Sequence, residues 1–586
     1  MRRLVTYLEP YRGRLLAQVL ASLAVTAAGL IPPVITRSIV DRVLMPRDTV
    51  PPDVETRTHL LASYVLALLA VRLFAWGAEW MHGWMVAWLG ARVTADLRSQ
   101  LYRHLERLGL AFYDRQEIGA LASRLTNDAS TLQEFLIRGL PYGLINGLTM
   151  IGIFAIMLSM NWQLTLWMLL PVPILWVGGM LFWRRMNALF HRWWQGNARF
   201  SAQLNESLSG IREVKAFGQQ ERESARFEAL NSHVFRQTTD TACNRVVLLA
   251  TVGIVTGASV SLVWLLGGGG VLRGRFTLGS LLAFYNYVLL FNNPLQWFGQ
   301  FSDWTTRAFT GAQRIFDVLD TPGEAYSNAA AVGVTGMRGR VDLRHVVFGY
   351  DKTKPVLRGL SLSVAAGEMV GIVGRSGAGK TTLINLVCRF YDVDHGAIEV
   401  DGVDVRRLRL EDLRGHIGIV SQDPVLFSGT VAENISYGRP GAALQEIVDA
   451  ARIANAHGFI LEKKDGYDTQ IGQLGKHLSV GERQQIAIAR AILRNPRILI
   501  LDEATSSVDA ITEARIHQAI HRLARNRTCF VIAHRLSTLK TADRLVVIDH
   551  GDVREVGTYE ELLARKGAFH ELVRLQEQPL ETAAEA

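Results

Sequence analysis

The sequence predicts a multidomain chain, with an all-α domain of six transmembrane helices followed by an α/β domain of the phosphate-loop type. Three observations lead to this fold class. The chain of 586 residues is too long for a single hydrophobic core. Long runs without charged side chains occur in the first half, where all 13 Trp lie before residue 305. A glycine-rich loop at Gly374–Thr381, in the second half, stands between an apolar strand-like run and a predicted helix.

The charge and the cysteines limit the possible partners. The net charge is +9, but no basic run with interleaved aromatic residues occurs, so Arg flanking membrane spans explains the charge better than nucleic-acid binding. Cys243, Cys388 and Cys529 lack the spacing of a metal or redox motif. They are expected to be inert thiols in a reducing compartment.

The uncharged runs predict six spans within a membrane domain of residues 1–320. The run 139–183 has 45 residues without Asp, Glu, Lys or Arg. One helix of that length would be about 67 Å long, roughly twice a bilayer core, so we divide it at a turn near 159–162. The predicted spans are about 15–36, 60–90, 139–159, 163–183, 246–272 and 276–302.

Two long polar connections, at roughly 92–130 and 184–245, determine the expected orientation. They contain six and ten Lys or Arg, whereas the loops on the other side contain few. The positive-inside rule therefore predicts a multi-pass protein of the plasma (inner) membrane, with the N-terminus and everything after residue 303 in the cytoplasm. Apolar residues at helical spacing in the first connection predict that the spans continue as helices beyond the bilayer.

A change of composition marks the second domain. Residues 321–338 form a predicted linker rich in Gly and Ala, and short strand-like runs begin after it. We expect an α/β domain at 339–576 and a disordered tail at 577–586.

The glycine-rich loop has the spacing of a phosphate-binding loop. Its glycines let the backbone N–H groups point at phosphate oxygens, and the following helix adds a partial positive charge. Lys380 adds a full charge, and Thr381 offers a hydroxyl to Mg²⁺. An ordinary glycine-rich turn is the alternative, but spacing and flanks favour nucleotide binding. The loop residues are Gly374, Arg375, Ser376, Gly377, Ala378 and Gly379.

Polar side chains follow three other strand-like runs. Asp502 ends the apolar run 497–501, where it would suit Mg²⁺, and Glu503 would serve as a general base for the attacking water. Gln422 and His534 follow the runs 418–421 and 528–533. Ligands of doubly wound domains gather at such strand ends.

With these motifs in this order, the sequence resembles a half-subunit of an exporter-type ABC transporter, similar to bacterial multidrug and lipid exporters, over about residues 10–575. The resemblance makes the second domain an ABC ATPase domain that binds ATP and Mg²⁺. It implies that Tyr350 stacks on adenine, that Gly374–Thr382 is Walker A, and that Asp502-Glu503 is Walker B. The other implied site residues are Gln422 of the Q-loop, which also approaches Mg²⁺, Asp509 of the D-loop, the switch histidine His534, Thr382, and the signature residues Ser479, Gly481 and Glu482.

The signature region departs from the family pattern at two places. Val480 and Glu482 replace the second Gly and the Gln of the usual Leu-Ser-Gly-Gly-Gln. Upstream, Gln473-Leu474 stand where the family usually has Glu-Arg. Ser479 and Gly481 remain, so contact with phosphate by hydroxyl and backbone is still expected.

The resemblance also implies how the chain works. The family's ATP site is shared between Walker A of one subunit and the signature of another, so a second half-transporter is expected, with a homodimer favoured over a heterodimer. Residues 112–118 and 213–220 would be coupling helices. The expected function is ATP-driven export, or flipping, of a hydrophobic or amphipathic substrate by alternating access. An importer on the same fold and an ATP-gated channel or sensor are the alternatives; Glu503 and His534 argue against loss of hydrolysis.

One face of the second span is a candidate substrate path. Trp76, Trp80, Trp84 and Trp88 follow one another at intervals of four residues, and the same span carries Arg72 and Glu79. Intramembrane charges usually face a bundle interior or a wet cavity, which favours a cationic or zwitterionic amphipathic ligand. Simple packing, or an aromatic belt at the bilayer interface, is the alternative for the Trp row.

Overall fold

The structure, a computed structural model, falls into two compact units. It describes residues 6–46, 53–169, 172–324, 331–334, 336–472, 475–502, 510–532 and 539–577. The first unit comprises Met1–Leu105 and Gly119–Thr321, and the second comprises Glu106–Ile118 and Pro322–Ala586. The short segment 106–118 therefore belongs to the second unit, although it lies inside the predicted membrane domain in sequence.

The first unit is helical throughout its described residues. Short π-helical stretches join consecutive helices at Val40–Leu44, Arg124–Asp128, Phe135–Gly139 and Val263–Gly267. One helix of the first half, α3, lies in the segment that belongs to the second unit. In chain order the α-helices are α1 (Arg12–Ile39), α2 (Val54–Leu105), α3 (Leu110–Tyr113), α4 (Ile118–Ser123), α5 (Ala129–Glu134), α6 (Leu140–Met160), α7 (Trp162–Leu169), α8 (Val172–Ser209), α9 (Ile211–Ala216), α10 (Gln220–Leu262), α11 (Gly268–Leu272) and α12 (Leu278–Leu319).

Four helical stretches of the described residues are long and apolar enough to cross a membrane. They are Thr6–Leu44, Val54–Leu105, Ile118–Met160 and Ala250–Leu272. A shorter apolar stretch, Leu278–Phe291, begins α12. The predicted fourth span, 163–183, falls on α7 and α8 and partly outside the described residues, so the count of six stays a prediction.

Two features of the helices go beyond the predicted spans: their length and the continuation of one helix through two prolines. The helices α2 and α8 end at Leu105 and Ser209, well beyond the apolar runs, as the helical spacing of the connections indicates. The helix α1 continues through Pro32 and Pro33, which would break a helix in water. The carbonyls that lose an N–H partner are those of Ala28 and Gly29, four residues before each Pro, and within a bundle neighbouring groups can satisfy them.

Partly buried polar contacts join α1 and the π-helical stretch that follows it to α12. The carboxylate of Asp41 accepts hydrogen bonds from the Gly279 N–H (2.9 Å) and the Thr277 hydroxyl (2.7 Å). Farther along, the hydroxyl of the fully buried Tyr287 donates to the Leu30 carbonyl over 2.7 Å. These contacts fix the two helices against each other at two levels.

The second unit contains a six-stranded sheet, a four-stranded sheet and a two-stranded ribbon. The six-stranded sheet has the order β12-β11-β3-β10-β9-β6, in which β11, β3, β10, β9 and β6 are parallel. The other sheets have the orders β2-β1-β4-β5 and β7-β8. The strands are β1 (Val341–Phe348), β2 (Leu357–Val364), β3 (Met369–Val373), β4 (His395–Val400), β5 (Val403–Asp404), β6 (Ile417–Val420), β7 (Gly429–Thr430), β8 (Gln470–Ile471), β9 (Ile498–Asp502), β10 (Thr528–Ile532), β11 (Arg544–Asp549) and β12 (Asp552–Gly557).

The parallel strands are short apolar runs because helices cover both faces of such a sheet. Every residue of β10 is buried, and so are the first four of β9. The helices of the second unit, apart from α3, are α13 (Lys380–Val387), α14 (Leu410–Gly415), α15 (Val431–Ser436), α16 (Leu444–Ile453), α17 (His457–Glu462), α18 (Val480–Arg494), α19 (Ala510–Ala524), α20 (Tyr559–Ala564) and α21 (Ala568–Glu577).

Candidate functional site

The C-terminal ends of the parallel strands gather several predicted site residues at one sheet edge. In the register of the sheet, Ile532 of β10 is level with Ile372 of β3 and with Asp502 of β9. Gly374 follows β3 directly, and Gln422 comes two residues after β6, the neighbour of β9. The glycine-rich loop, Asp502 and Gln422 therefore meet where open α/β sheets bind their ligands.

The glycines of the loop are required by backbone geometry. Gly379 has φ +104°, a left-handed conformation that side chains strongly disfavour. A Cβ atom at Gly374 would lie 2.2 Å from the Ile548 carbonyl oxygen. The loop therefore packs against β11 and its backbone turns directly before α13, as in loops that bind anions at a helix N-terminus.

Lys380 lies folded over this loop. Its Nζ donates to the carbonyl oxygens of Gly374 (2.8 Å) and Arg375 (3.1 Å), and the residue is buried. Next to it, Thr381 is exposed whereas Thr382 is buried. The ammonium thus lies against the loop at the helix start, and Thr381, in the first turn, is accessible to a ligand.

The predicted metal donors suit Mg²⁺ by their chemistry. Asp502 supplies a carboxylate, Thr381 a hydroxyl and Gln422 an amide oxygen, which are hard oxygen donors. Within the described ranges, no group of three or more His, Cys, Asp or Glu forms a metal cage.

Tyr350, the residue predicted to stack on adenine, belongs to an aromatic cluster. The ring of Tyr350 is half exposed and packs edge-on against Phe348 and Tyr391, each with a centroid distance of 5.2 Å. The Tyr350 hydroxyl lies 3.4 Å from the Thr382 hydroxyl and accepts a hydrogen bond from Asn385 over 3.3 Å. These contacts fix the plane of the ring next to the helix that follows the loop.

Tyr391 connects this cluster to segment 106–118. Its hydroxyl donates a hydrogen bond to the carboxylate of Asp114, directly after α3. Burial and the Asp114 carboxylate raise the pKa of Tyr391, so its hydroxyl stays protonated and keeps donating. The segment is also anchored at its beginning, where Glu324 N–H donates to the Arg107 carbonyl over 2.7 Å and the Glu324 carboxylate forms an ion pair with Arg414. The segment thus contacts the residues around the adenine-side ring.

The signature residues form the start of α18. Ser479 is the N-cap, and its hydroxyl accepts the Glu482 N–H over 3.2 Å, while the Glu482 carboxylate accepts the Ser479 N–H over 2.7 Å. Such a capping box satisfies two otherwise unpaired N–H groups and is worth about 1 kcal/mol. The same carboxylate forms an ion pair with Lys463, at 2.7 Å. Gly481 is buried inside the first turn.

Two side chains of α18 connect the signature helix to the Q-loop. Gln484 is almost fully buried and donates to the Ser421 carbonyl over 3.2 Å, directly before Gln422. Arg490 donates to the carbonyls of Val425 (3.1 Å) and Asn434 (2.9 Å). A shift of the Q-loop would therefore strain contacts to the signature helix.

The sequence motifs did not identify Tyr391, Lys463, Gln484 or Arg490. Asp114 lies within 112–118, which the resemblance implies to be a coupling helix, but its contact with Tyr391 was not predicted. Each acts through a partner that is distant in sequence, or through a backbone carbonyl whose position only the fold determines. One sequence signal could have found Gln484. It stands four residues before Ile488, on the same face of the helix, and both residues are buried, as are Gln485 and Ile486.

Three predicted site residues lie outside the described residues. They are Glu503, Asp509 and His534, together with the rest of the D-loop and Gln473-Leu474. The described strands β9 and β10 end at Asp502 and Ile532, so Glu503 and His534 follow neighbouring strands in the sequence. Their roles stay predictions.

The aromatic row of α2 divides into an exposed part and a packed end. Trp76, Trp80 and Trp84 are 67%, 69% and 57% exposed in the single chain, and Arg72 and Glu79 are exposed as well. The fourth member, Trp88, is half-buried: the Arg14 guanidinium carbon lies 3.4 Å from its ring centroid, and Tyr11 packs edge-on against it. Trp297 of α12 stacks on Phe301 at 4.6 Å.

Known protein families match parts of both units. Residues 15–295 match the family model "ABC transporter transmembrane region", and residues 357–506 match the model "ABC transporter". The ATP-dependent lipid A-core flippase of Syntrophus aciditrophicus is 36% identical over 89% of this chain and 87% of its own length. A fatty acid ABC transporter ATP-binding/permease protein of Mycobacterium bovis is 39% identical over 88% of this chain and 80% of its own.

A solved structure is similar over nearly the whole length. It is a bacterial Atm1-family ABC exporter with ATP bound, which superposes with a TM-score of 0.83 and 29% sequence identity over 97% of this chain and 99% of that one.

Proposed function

The chain belongs to the ABC transporter family, as an ATP-hydrolysing half-transporter of the exporter type, and on this premise we propose that two identical copies form the working pump. Each copy carries one phosphate loop and one signature, so two shared ATP sites would form between them. Binding of ATP would draw the ATPase domains together and turn the spans outward, and hydrolysis would separate them. The observation that supports nucleotide binding is that the glycine-rich loop, Asp502 and Gln422 lie at one sheet edge.

The proposed roles follow from the chemistry of the side chains. Lys380 and the backbone of Gly374–Gly379 bind the phosphates, Tyr350 stacks on the adenine, and Thr382 supports Tyr350. Thr381, Asp502 and Gln422 hold Mg²⁺, which neutralises charge on the transferred phosphoryl group when bound. Glu503 orients the attacking water as general base, and His534 and Asp509 complete the site. Ser479 and Gly481, with Glu482, contact the ATP that the other copy binds.

The proposed topology has six spans at the predicted boundaries, within a membrane domain of residues 1–320, in the inner membrane. The N-terminus and the ATPase domain, 339–576, lie in the cytoplasm. Arg and Lys concentrate in the two long connections. The described helices α2 and α8 extend into those connections, as cytoplasmic coupling arms would.

We propose an amphipathic substrate with an acyl portion, moved outward or flipped between leaflets. The exposed face of α2 offers Trp76, Trp80 and Trp84 for apolar contact and the charges of Arg72 and Glu79 for a polar headgroup. Two relatives are named for lipid A-core and for fatty acids, which are ligands of this kind. Fluorescent lipid in proteoliposomes tests this directly, because the direction of movement separates an exporter from an importer and ATP-dependent accumulation separates a pump from a channel.

The experiment that tests the ATPase proposal uses the purified chain in lipid nanodiscs. Glu503→Gln is expected to keep ATP binding and to lose turnover by at least about 100-fold, because the water then lacks its base. Lys380→Ala is expected to weaken ATP binding itself, because the charge that meets the phosphates is gone. Near-normal ATPase activity of Glu503→Gln would remove this residue from the role of base. A purified wild-type chain that stays monomeric and lacks cooperative ATPase would contradict the homodimer.

A further inference from the structure

The carboxylate of Glu482 stands where the ATP of the other copy is expected, which poses an electrostatic problem. A negative charge at a helix N-terminus is favourable for the helix itself. It is unfavourable beside a triphosphate, because like charges repel, and they do so more strongly where water is partly excluded. Something must therefore compensate the charge of Glu482 if α18 is to present its N-terminus to ATP.

Lys463 provides that compensation. It directly follows α17, with an extended backbone (φ −73°, ψ 147°), and its Nζ lies 2.7 Å from Oε1 of Glu482. Both side chains are partly buried, with exposed fractions of 30% and 20%. Burial alone raises the pKa of the Glu482 carboxyl, but the Lys463 ammonium and the Ser479 N–H outweigh burial and hold that pKa below its usual value. Glu482 is thus ionised, and a cation is in contact with it.

The two oxygens of Glu482 have different partners. Oε1 contacts Lys463, and Oε2 accepts the Ser479 N–H. The Ser479 hydroxyl accepts the Glu482 N–H, and the Ser479 side chain also helps to lower the pKa of the Glu482 carboxyl. Lys463, Glu482 and Ser479 therefore form one chain of contacts at the start of α18.

We propose that Lys463 is a positioning residue of the signature: it neutralises Glu482 and holds it in the capping box, so that the N-terminus of α18 can meet the phosphate of the ATP bound by the other copy. This inference rests on the proposed shared-site dimer. It explains how a signature with Glu in place of Gln can still accept a triphosphate. The contribution of Lys463 is expected to depend on the negative charge of Glu482.

The test is a double-mutant cycle on the purified full chain in nanodiscs, with KM for ATP and kcat measured separately. Lys463→Met removes the charge and keeps most of the side-chain length. In the Glu482 background it is expected to raise KM by about fivefold or more, because an uncompensated carboxylate then faces the triphosphate. In the Glu482→Gln background the same Lys463→Met change is expected to alter KM by less than about twofold. Equal effects in the two backgrounds, or no effect in either, would overturn the proposal.

Lys464→Met is the matched control. Lys464 is the next residue along, is exposed, and carries the same charge in the same loop. It is expected to leave KM within about twofold of the wild-type value. A Lys464→Met defect as large as that of Lys463→Met would mean that general positive charge matters, and would overturn the specific pairing.

A second measurement separates this inference from the proposed function. Binding of a fluorescent ATP analogue to the chain's own phosphate loop is expected to be lost in Lys380→Ala and unchanged in Lys463→Met. ATP-dependent closure of the dimer, followed by a cross-link between the two ATPase domains, is expected to need about fivefold more ATP in Lys463→Met. If wild-type chains show no ATP-dependent closure, the shared-site dimer fails; if closure occurs and Lys463→Met does not shift it, only the role of Lys463 fails.

Discussion

At the scale of single residues, the three cysteines differ enough in environment to report on the fold. Cys388 caps the end of α13 and Cys529 lies within β10, and burial raises the pKa of each thiol to about 12. Cys243 is exposed on α10. Because the thiolate is the reactive form, Cys388 and Cys529 are almost entirely unreactive at neutral pH.

N-Ethylmaleimide at pH 7.5 is therefore expected to add one label per native chain, at Cys243, and none to Cys243→Ser. Mass spectrometry of the intact protein measures this. The same reaction in denaturant should reach all three thiols of the wild type, which controls for reagent activity. Labelling of native Cys243→Ser at either buried thiol would contradict the described packing around α13 or β10.

The sequence predicts those site residues whose role depends on the short-range order of residues along the chain. The glycines of the loop, Lys380 and Thr381 follow from a strand, a turn and a helix in succession, and the structure has that succession. Lys463 could not be found this way, because it stands 19 positions before Glu482 and only the fold brings the residue after α17 to the start of α18. The same holds for Tyr391 and Asp114, which are 277 positions apart.

At the scale of elements, segment 106–118 connects two helices of the first unit and yet packs within the second. Its Asp114 holds Tyr391, whose ring packs against Tyr350. If the segment moves, the hydrogen bond predicts that Tyr391 and the neighbouring Tyr350 ring move with it. We therefore predict that changes at this contact alter nucleotide affinity more than the chemical step.

Tyr391→Phe removes the hydroxyl and keeps the ring. We expect stimulation of ATPase by substrate to fall about threefold, with KM for ATP affected more than kcat, since a charge-assisted hydrogen bond is lost. Asp114→Asn should have an effect of similar direction and smaller size, because an amide oxygen still accepts. Glu117→Gln, a charge removal at an exposed position of the same segment, is the control. Full stimulation in both Tyr391→Phe and Asp114→Asn would show that the contact transmits nothing.

Element boundaries were less predictable than element identity. Pro32 and Pro33 suggest a break in water, but α1 runs through them, since a membrane bundle removes the competing solvent. Segment 106–118 looks in sequence like a turn between two helices, and its assignment to the second unit depends on contacts from Glu324 and Tyr391. Neither outcome is encoded within a window of neighbouring residues.

At the scale of the whole molecule, the proposed substrate path along α2 leads to a prediction about turnover. Glu79→Gln and Trp80→Ala are expected to reduce substrate-stimulated ATPase and lipid movement by at least about threefold, since stacking and charge contacts to the ligand would be lost. Basal ATPase should be similar to that of the wild type, because neither residue belongs to the ATP site.

Trp88→Ala is the contrasting variant on the same row. Trp88 packs against Arg14 and Tyr11, so its loss should lower thermal stability, with about 1 kcal/mol from the cation–π contact alone. Substrate stimulation should persist below the lowered melting temperature. For the substrate path itself, the contradicting result is full stimulation and transport in both Glu79→Gln and Trp80→Ala. The Trp row of α2 would then serve only in packing.

The strand order of the six-stranded sheet also has a consequence for biosynthesis. The phosphate-loop strand β3 is flanked by β10 and β11, and β10 begins 155 residues after β3 ends. At 5–20 residues per second the ribosome takes roughly 8–30 s to cover that distance. During this interval an apolar strand has no native neighbour on either edge, which is the condition for aggregation. Nascent chains arrested before residue 528 should therefore recruit chaperones and remain protease-sensitive at the loop, whereas release beyond residue 557 should protect it.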